Sequence, residues 1–280
     1  MADIVFAAAV SHAPGLTGWF DKADEESQRN VREAYATVGS DIRDANLDLL
    51  VIIANDHLAN FPVTDYPDFV FGMIDEHSGP DTWFKPWLAV EDYSMPGRPD
   101  LAEAVYGHLQ GAGANVVRWD EPLRFDDNIS VPVTLTGFKD MGVAVLPVIQ
   151  NCTVPPVPDE RASYKLGEQL GEALRALPDG LRIGVLGSGG LSHEPGGKRY
   201  LAIDGDFDRW FLDLLAEGDH DKVLREATFE RMEEAGIGGT AELLSWLVAM
   251  GSIGERPCEV LTYAEVPEWR CGVGAVRWTV

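Results

Sequence analysis

Cysteine is scarce in this chain. Only Cys152, Cys258 and Cys271 occur among 280 residues. An odd count with no C-x-x-C spacing is a poor disulfide framework, so a reducing compartment, the cytoplasm, is the expectation. Basic residues are also short: 22 Lys and Arg face 46 Asp and Glu, a formal net charge of −24. Such a surface repels phosphate backbones and anionic lipid, which argues against nucleic acid and membrane as partners and for plain solubility. No apolar run is long enough to span a bilayer. The opening "MADIVFAAAV" lacks a basic n-region and reads as a buried strand rather than a targeting signal. Repeats, low-complexity runs and linkers are missing too, so one domain over residues 1–280 is expected.

What the chain does have is a series of short apolar runs at 3–10, 48–55, 114–119, 142–150 and 181–188. They are continuous rather than alternating, as in strands covered on both faces. Helical patterns lie between them. Val31, Tyr35, Val38 and Ile42 make one helix face, and Leu101–Leu109, Tyr164–Leu177 and Phe207–Leu215 are similar. Alternating strands and helices predict an α/β sandwich with a mostly parallel central sheet flanked by helices. The segments 258–266 and 272–280 have strand character and would close the sheet. The stretch 75–100, rich in Pro, Gly, Trp and Asp, reads as a long loop.

Histidine is rare as well, with six in all. Three share a placement. His12 follows the first predicted strand, His57 the second, and His193, in "GSGGLSHEP", the fifth. Ligands of open α/β sheets bind outside the carboxyl ends of the strands, so three imidazoles delivered there point to a site. The alternative is three unrelated loop residues. His108, on a predicted helix, and His220, in "EGDHDK", read as solvated; His77 is left open. Glu242 opens an otherwise apolar helix, Ala241–Met250. It is either an acid favoured by the helix dipole or a buried carboxylate compensated by a metal. Two histidines and one carboxylate form the face that suits Fe(II) with open positions for substrate and oxygen.

The motifs "SHAPGL" (11–16), "NDHLANF" (55–61), "GSGGLSHEP" (187–195) and "GTAELLSWLVAMG" (239–251) occur in this order along nearly the whole chain. With them the chain resembles the catalytic subunits of the class III extradiol ring-cleaving dioxygenases. The resemblance implies a non-haem Fe(II) held by His12, His57 and Glu242. It implies His193 as the acid/base over the substrate, outside the metal's ligand set. It implies an aromatic diol and O2 as substrates, in aromatic catabolism with ring opening. An imidazole with an ordinary pKa of about 6.5 can take the hydroxyl proton and return it.

One position departs from the family. The second pocket histidine falls on Asp127, within "RFDDNISVP", next to Asp126. Asp127 is expected to line the substrate pocket with Asn128 and Ser192. A carboxylate there accepts hydrogen bonds, so it would favour an amino- or nitrogen-substituted ring and disfavour a carboxylate directed at it. A substrate carboxylate would need a cation, and Arg124 and Lys198 are the candidates by motif. No small helical partner domain is recognisable in the sequence, so a homo-oligomer, or a separate small subunit, is expected. The competing readings are a metal-free, non-catalytic partner subunit, which predicts a lost ligand, and a zinc-dependent hydrolase on the same triad.

Overall fold

A computed structural model describes residues 1–280. Its strands are β1 (Asp3–Val10), β2 (Leu49–Asn55), β3 (Phe69–Gly72), β4 (Glu76–Gly79), β5 (Tyr93–Pro96), β6 (Val117–Trp119), β7 (Ala144–Gln150), β8 (Arg182–Ser188), β9 (Cys258–Val266) and β10 (Cys271–Trp278). Eight form one sheet in the order β6-β3-β7-β2-β8-β1-β10-β9. The central strands β7, β2, β8 and β1 are parallel. β3 joins β7, and β10 joins β1, antiparallel. The continuous apolar runs follow from burial on both faces. Along β2, Leu50, Ile52 and Ala54 pack with Val31, Tyr35, Val38 and Ile42 of the helix Glu25–Asp44. Leu49, Val51 and Ile53 pack on the other side with Leu166, Leu170 and Leu174 of the helix Glu160–Arg175. Each such side chain contributes about 1.5–3 kcal/mol when fully buried.

The helix Leu244–Ile253 is buried along its whole length. It crosses Glu160–Arg175 so closely that a Cβ at Gly167 would stand 2.3 Å from the Val248 carbonyl oxygen. Glycine is therefore required there, and that contact fixes the turn carrying Glu242 above the end of β8.

Several expectations need correction. Residues 75–100 are not a plain loop: β4 and β5 pair as an antiparallel hairpin around a short helix, Lys85–Leu88. The predicted strand at 114–119 shrinks to an exposed edge strand, β6. Elements that were not anticipated include β3, the helices His220–Glu226 and Phe229–Ala235, and the helix Asp127–Leu135, whose internal Pro132 and β-branched residues disguise it. His220 is not solvated. It is buried, with Nδ1 2.9 Å from the Tyr164 hydroxyl. His108 is exposed, as expected. No helix is long and apolar enough to cross a membrane, and all three cysteines are free and buried.

Candidate active site and metal centre

β8 lies between β2 and β1 in the sheet. The chain therefore leaves three adjacent parallel strands at one edge. His12 comes two residues after β1, His57 two after β2, and the "GSGGLSHEP" loop runs off β8. The turn Thr240–Leu243 then lays Glu242 across these ends. His12 Nε2 and Glu242 Oε2 are 3.1 Å apart, as are His57 Nε2 and Glu242 Oε1. One ligand atom from each of the three residues lies within 4.8 Å of the others.

Hydrogen bonds behind the rings decide what faces the centre. The Ser188 hydroxyl donates to the Asn128 carbonyl at 2.6 Å, which uses its only proton. It must then accept from His12 Nδ1, 2.9 Å away. The His12 proton is thereby fixed on Nδ1, and buried Nε2 turns a lone pair toward a carboxylate with no hydrogen-bond partner. His57 Nδ1 faces Asp126 Oδ2 and Asp127 Oδ1, each at 3.1 Å, which places its proton there as well. Only a proton or a cation can stand among the two Nε2 atoms and Glu242. The orphaned His12 nitrogen and the N,N,O donor set fit a divalent transition metal. Asn55 Nδ2 donates to Glu242 Oε1 at 3.2 Å, and the Gly190 N–H donates to Oε2 at 2.7 Å.

The charges are strongly coupled. Burial raises the Glu242 carboxyl, but the His12 and His193 imidazoles outweigh it and hold the group well below the ordinary carboxylate range. Burial would depress His57, yet Asp126 and Asp127 push it well above an ordinary imidazole. Asp126 is raised to about 6 by burial, against the pull of His57. For Asp127 the His57 interactions prevail over burial, and its pKa is lowered.

His193 stands apart from the three ligands. Its Nδ1 lies 2.8 Å from the Leu191 carbonyl oxygen, so that nitrogen is the donor and Nε2 is the free base. Nε2 is 3.6 Å from Glu242 Oε1, and Glu242 overcomes burial to raise the pKa of His193. The glycines of this loop are there for close approach. A Cβ at Gly190 would lie 2.7 Å from the His193 ring, and one at Gly189 would lie 2.3 Å from the Glu242 carbonyl oxygen. Asp208, in the helix Gly205–Glu217, holds the loop from behind. It accepts from the Ser192 N–H at 2.8 Å, the Ser192 hydroxyl at 2.9 Å and the Tyr263 hydroxyl at 3.0 Å.

A cavity of about 420 Å³ opens over these groups. His12, His57, Asp127, His193 and Glu242 all line it. Asn128 and Ser192 do not. Asn128 donates to the Asn55 carbonyl and accepts from the Ile129 N–H, and Ser192 is engaged by Asp208. Their place is behind the site, not in the pocket. Arg124 and Lys198 do not line it either: Arg124 is paired with Asp81. The cation that does is Arg270, accompanied by Trp83, Trp87 and Tyr200. Arg270 does not follow a strand carboxyl end, where the three histidines lie, but precedes the amino end of β10. β10 is antiparallel to β1, so its amino end arrives at the same edge. The adjacent Trp269 and Cys271 were the available signal.

The chain matches the family model for the catalytic LigB subunit of aromatic ring-opening dioxygenase over residues 6–274. A 2,3-dihydroxyphenylpropionate/2,3-dihydroxicinnamic acid 1,2-dioxygenase of Paraburkholderia xenovorans is 27% identical, over 98% of this chain and 97% of its own. An enzyme of that same name from Photorhabdus laumondii is 30% identical over 66% of this chain and 55% of its own. A gallate dioxygenase of Pseudomonas putida is 33% identical over 48% of this chain and 39% of its own. The last two matches thus span only about half, or less, of those relatives. An uncharacterised protein of Escherichia coli K12 has a solved structure of the same fold, with TM-score 0.57 and 14% identity over 97% of this chain and 99% of its own. With the family model matched along nearly its whole length, the chain belongs to the LigB family of aromatic ring-opening dioxygenase catalytic subunits.

Proposed function

We propose that the chain is an Fe(II)-dependent extradiol dioxygenase that opens a catechol-type ring with both atoms of O2. The observation that carries this is the convergence of His12 Nε2, His57 Nε2 and the Glu242 carboxylate, with their protons fixed on the far side. When bound there, Fe(II) supplies Lewis acidity toward the diol hydroxyls and redox chemistry toward O2. The two-histidine, one-carboxylate set suits zinc as well, so iron is favoured over zinc because the relatives are named as dioxygenases.

The chain's own residues do the rest. His193 Nε2 accepts a hydroxyl proton and later returns it, while the Leu191 carbonyl keeps the other nitrogen protonated. Asp126 and Asp127 orient His57. Asp127 also presents a carboxylate to the cavity, so a ring donor, such as the amine of an aminophenol, suits that end, and an anionic substituent does not. The dihydroxyphenyl substrates in the relatives' names support a diol over an aminophenol. We assign the chain to the cytoplasm, acting as a homo-oligomer or with a small subunit; the three free cysteines support the compartment. All four expected functional residues are present, which speaks against a metal-free partner subunit.

The test is metal analysis of anaerobically purified protein, joined to oxygen uptake on a panel of catechols and aminophenols. Iron at one per chain with O2 consumption and ring-opened product is the expected result. Bound zinc without oxygen uptake would overturn the iron assignment in favour of hydrolysis.

A further inference from the structure

Asp208 is an ionisable group in an unusual place. It is fully buried, in the first turn of the helix Gly205–Glu217. Helix capping does not require it there, because Asp204 is the N-cap and accepts from the Phe207 N–H at 3.0 Å. Burial, aided by nearby Asp204, pushes its carboxyl up to about 6 against the pull of its hydrogen bonds, so it is an anion at neutral pH. A buried charge is costly unless its oxygens are hydrogen-bonded. Its three donors are all neutral: the Ser192 N–H at 2.8 Å on Oδ1, and the Ser192 and Tyr263 hydroxyls at 2.9 and 3.0 Å on Oδ2. Two of them thus come from the residue before His193. The carboxylate reaches them past bare backbone, since a Cβ at Gly272 would stand 2.1 Å from Oδ2.

The Ser192 N–H belongs to the peptide that links Leu191 to Ser192, and the carbonyl of that same peptide accepts from His193 Nδ1 at 2.8 Å. The peptide is planar and trans, so its N–H and C=O point opposite ways. One rigid plane therefore has the Asp208 carboxylate on one side and the His193 ring on the other. The groups around this plane are held as well. The Leu191 N–H donates to the Gly272 carbonyl at 3.2 Å, the Gly272 N–H to the Ser192 carbonyl at 3.0 Å, and the His193 N–H to the Thr240 hydroxyl at 3.3 Å. Among these partners only Asp208 brings a charge. Hydrogen bonds in a chain polarise one another, so an anion on the N–H makes the carbonyl a stronger acceptor.

We propose that Asp208 is a positioning residue for His193 and acts through the Leu191–Ser192 peptide. Carboxylate, peptide and imidazole form one relay, which keeps the ring proton on Nδ1 and leaves Nε2 as the free base. When Nε2 takes a proton from substrate, the relay sets a negative charge in line with the imidazolium. No proton passes along the peptide: the Ser192 N–H and the Nδ1–H stay in place, and only Nε2 gains and returns one. This rests on the ring-cleavage reading for the substrate proton alone; the tautomer does not depend on it.

The experiment compares wild type, Asp208→Asn and Asp208→Ala, each also in the His193→Ala background. Asparagine keeps an acceptor for the Ser192 N–H and removes the charge; alanine removes both. With a catechol as substrate, kcat for O2 uptake should fall by about 5–10-fold in Asp208→Asn, the difference between a charged and a neutral acceptor, and by about 10–100-fold in Asp208→Ala. KM and metal content should hold. In the His193→Ala background Asp208→Asn should cost nothing further, because the residue it acts through is gone. A second readout needs no turnover. In zinc-loaded protein with isotope-labelled histidine nitrogens, at alkaline pH, the NMR signals of the His193 ring, assigned by their loss in His193→Ala, should report Nδ1–H in wild type. They should report a mixture of tautomers in Asp208→Ala and a smaller change in the same sense in Asp208→Asn, which carries both readouts if the alanine variant does not fold. If the tautomer shifts while no protein consumes O2, the ring-cleavage reading fails and the relay stands. If O2 is consumed while kcat and tautomer match wild type in both variants, the relay fails and that reading stands. An equal loss with and without His193, or a loss of metal in Asp208→Asn, also overturns the relay, because it marks a merely structural role.

Discussion

Replacing His77 with leucine should change how this protein responds to acid. His77 sits on β4, 2% exposed, with its ring stacked on Phe125 at 6.0 Å. Neither ring nitrogen has a hydrogen-bond partner. Burial, opposed only by Asp75, lowers its pKa from 6.5 to about 4. The folded pKa therefore lies below the unfolded one. Between about pH 4 and pH 6.5 the unfolded chain binds the extra proton, so stability is complete above that window and drains away as pH falls through it. At 1.36 kcal/mol per unit, the loss is about 3 kcal/mol. Leucine has similar volume and does not titrate. Urea unfolding of wild type and His77→Leu across this window measures the effect, and the difference between the two curves is what matters. Leucine also removes an unpaired buried N–H, worth about 1–3 kcal/mol, so the variant should be no less stable than wild type at neutral pH. Toward pH 4 its advantage should widen by about 3 kcal/mol. Curves that stay parallel from neutral pH to pH 4 would refute the reasoning, whatever the packing cost of leucine.

Glu242→Ala should lose bound metal, read by metal analysis, because two neutral imidazoles remain with no anionic ligand; full occupancy would exclude the site. His193→Ala should keep its metal and lose turnover by about 10²–10⁴-fold, the range for a general acid/base, and normal turnover would remove it from the mechanism. Asp127→His should improve the ranking of diols with an anion near that end over amino-substituted rings. An identical substrate ranking in both proteins would show that Asp127 serves only to hold His57.

The legible parts of this molecule were those with local signals. Continuous apolar runs marked β1, β2, β7 and β8, and a histidine shortly after three of them marked the edge where ligands bind. Glu242 stood out as an acid at the head of an apolar helix. The missing parts depend on long-range placement. Nothing near Asp208 announces that it holds Ser192, sixteen residues earlier, and so steadies His193. Arg270 looks like a surface residue until β10 is known to run antiparallel to β1. His77 was left open and His220 read as solvated because Phe125 and the Tyr164 helix, which pack against them, come from elsewhere in the chain. Asn128 and Ser192 were placed near the right site, but their backbone partners decide which way a small polar side chain is used.

The pairing of β1 with β10 joins residues near opposite ends of the chain, such as Val10 and Ala275. That has a consequence for biosynthesis. A ribosome adding about 5–20 residues per second delivers Glu242 roughly 10–50 s after His12. Until then the emerging chain holds two neutral imidazoles and no carboxylate between them, and the strand that covers β1 has not yet been made. A centre built from these three residues therefore cannot be completed before Glu242 has been made, and which metal enters depends on the pool met from that point on.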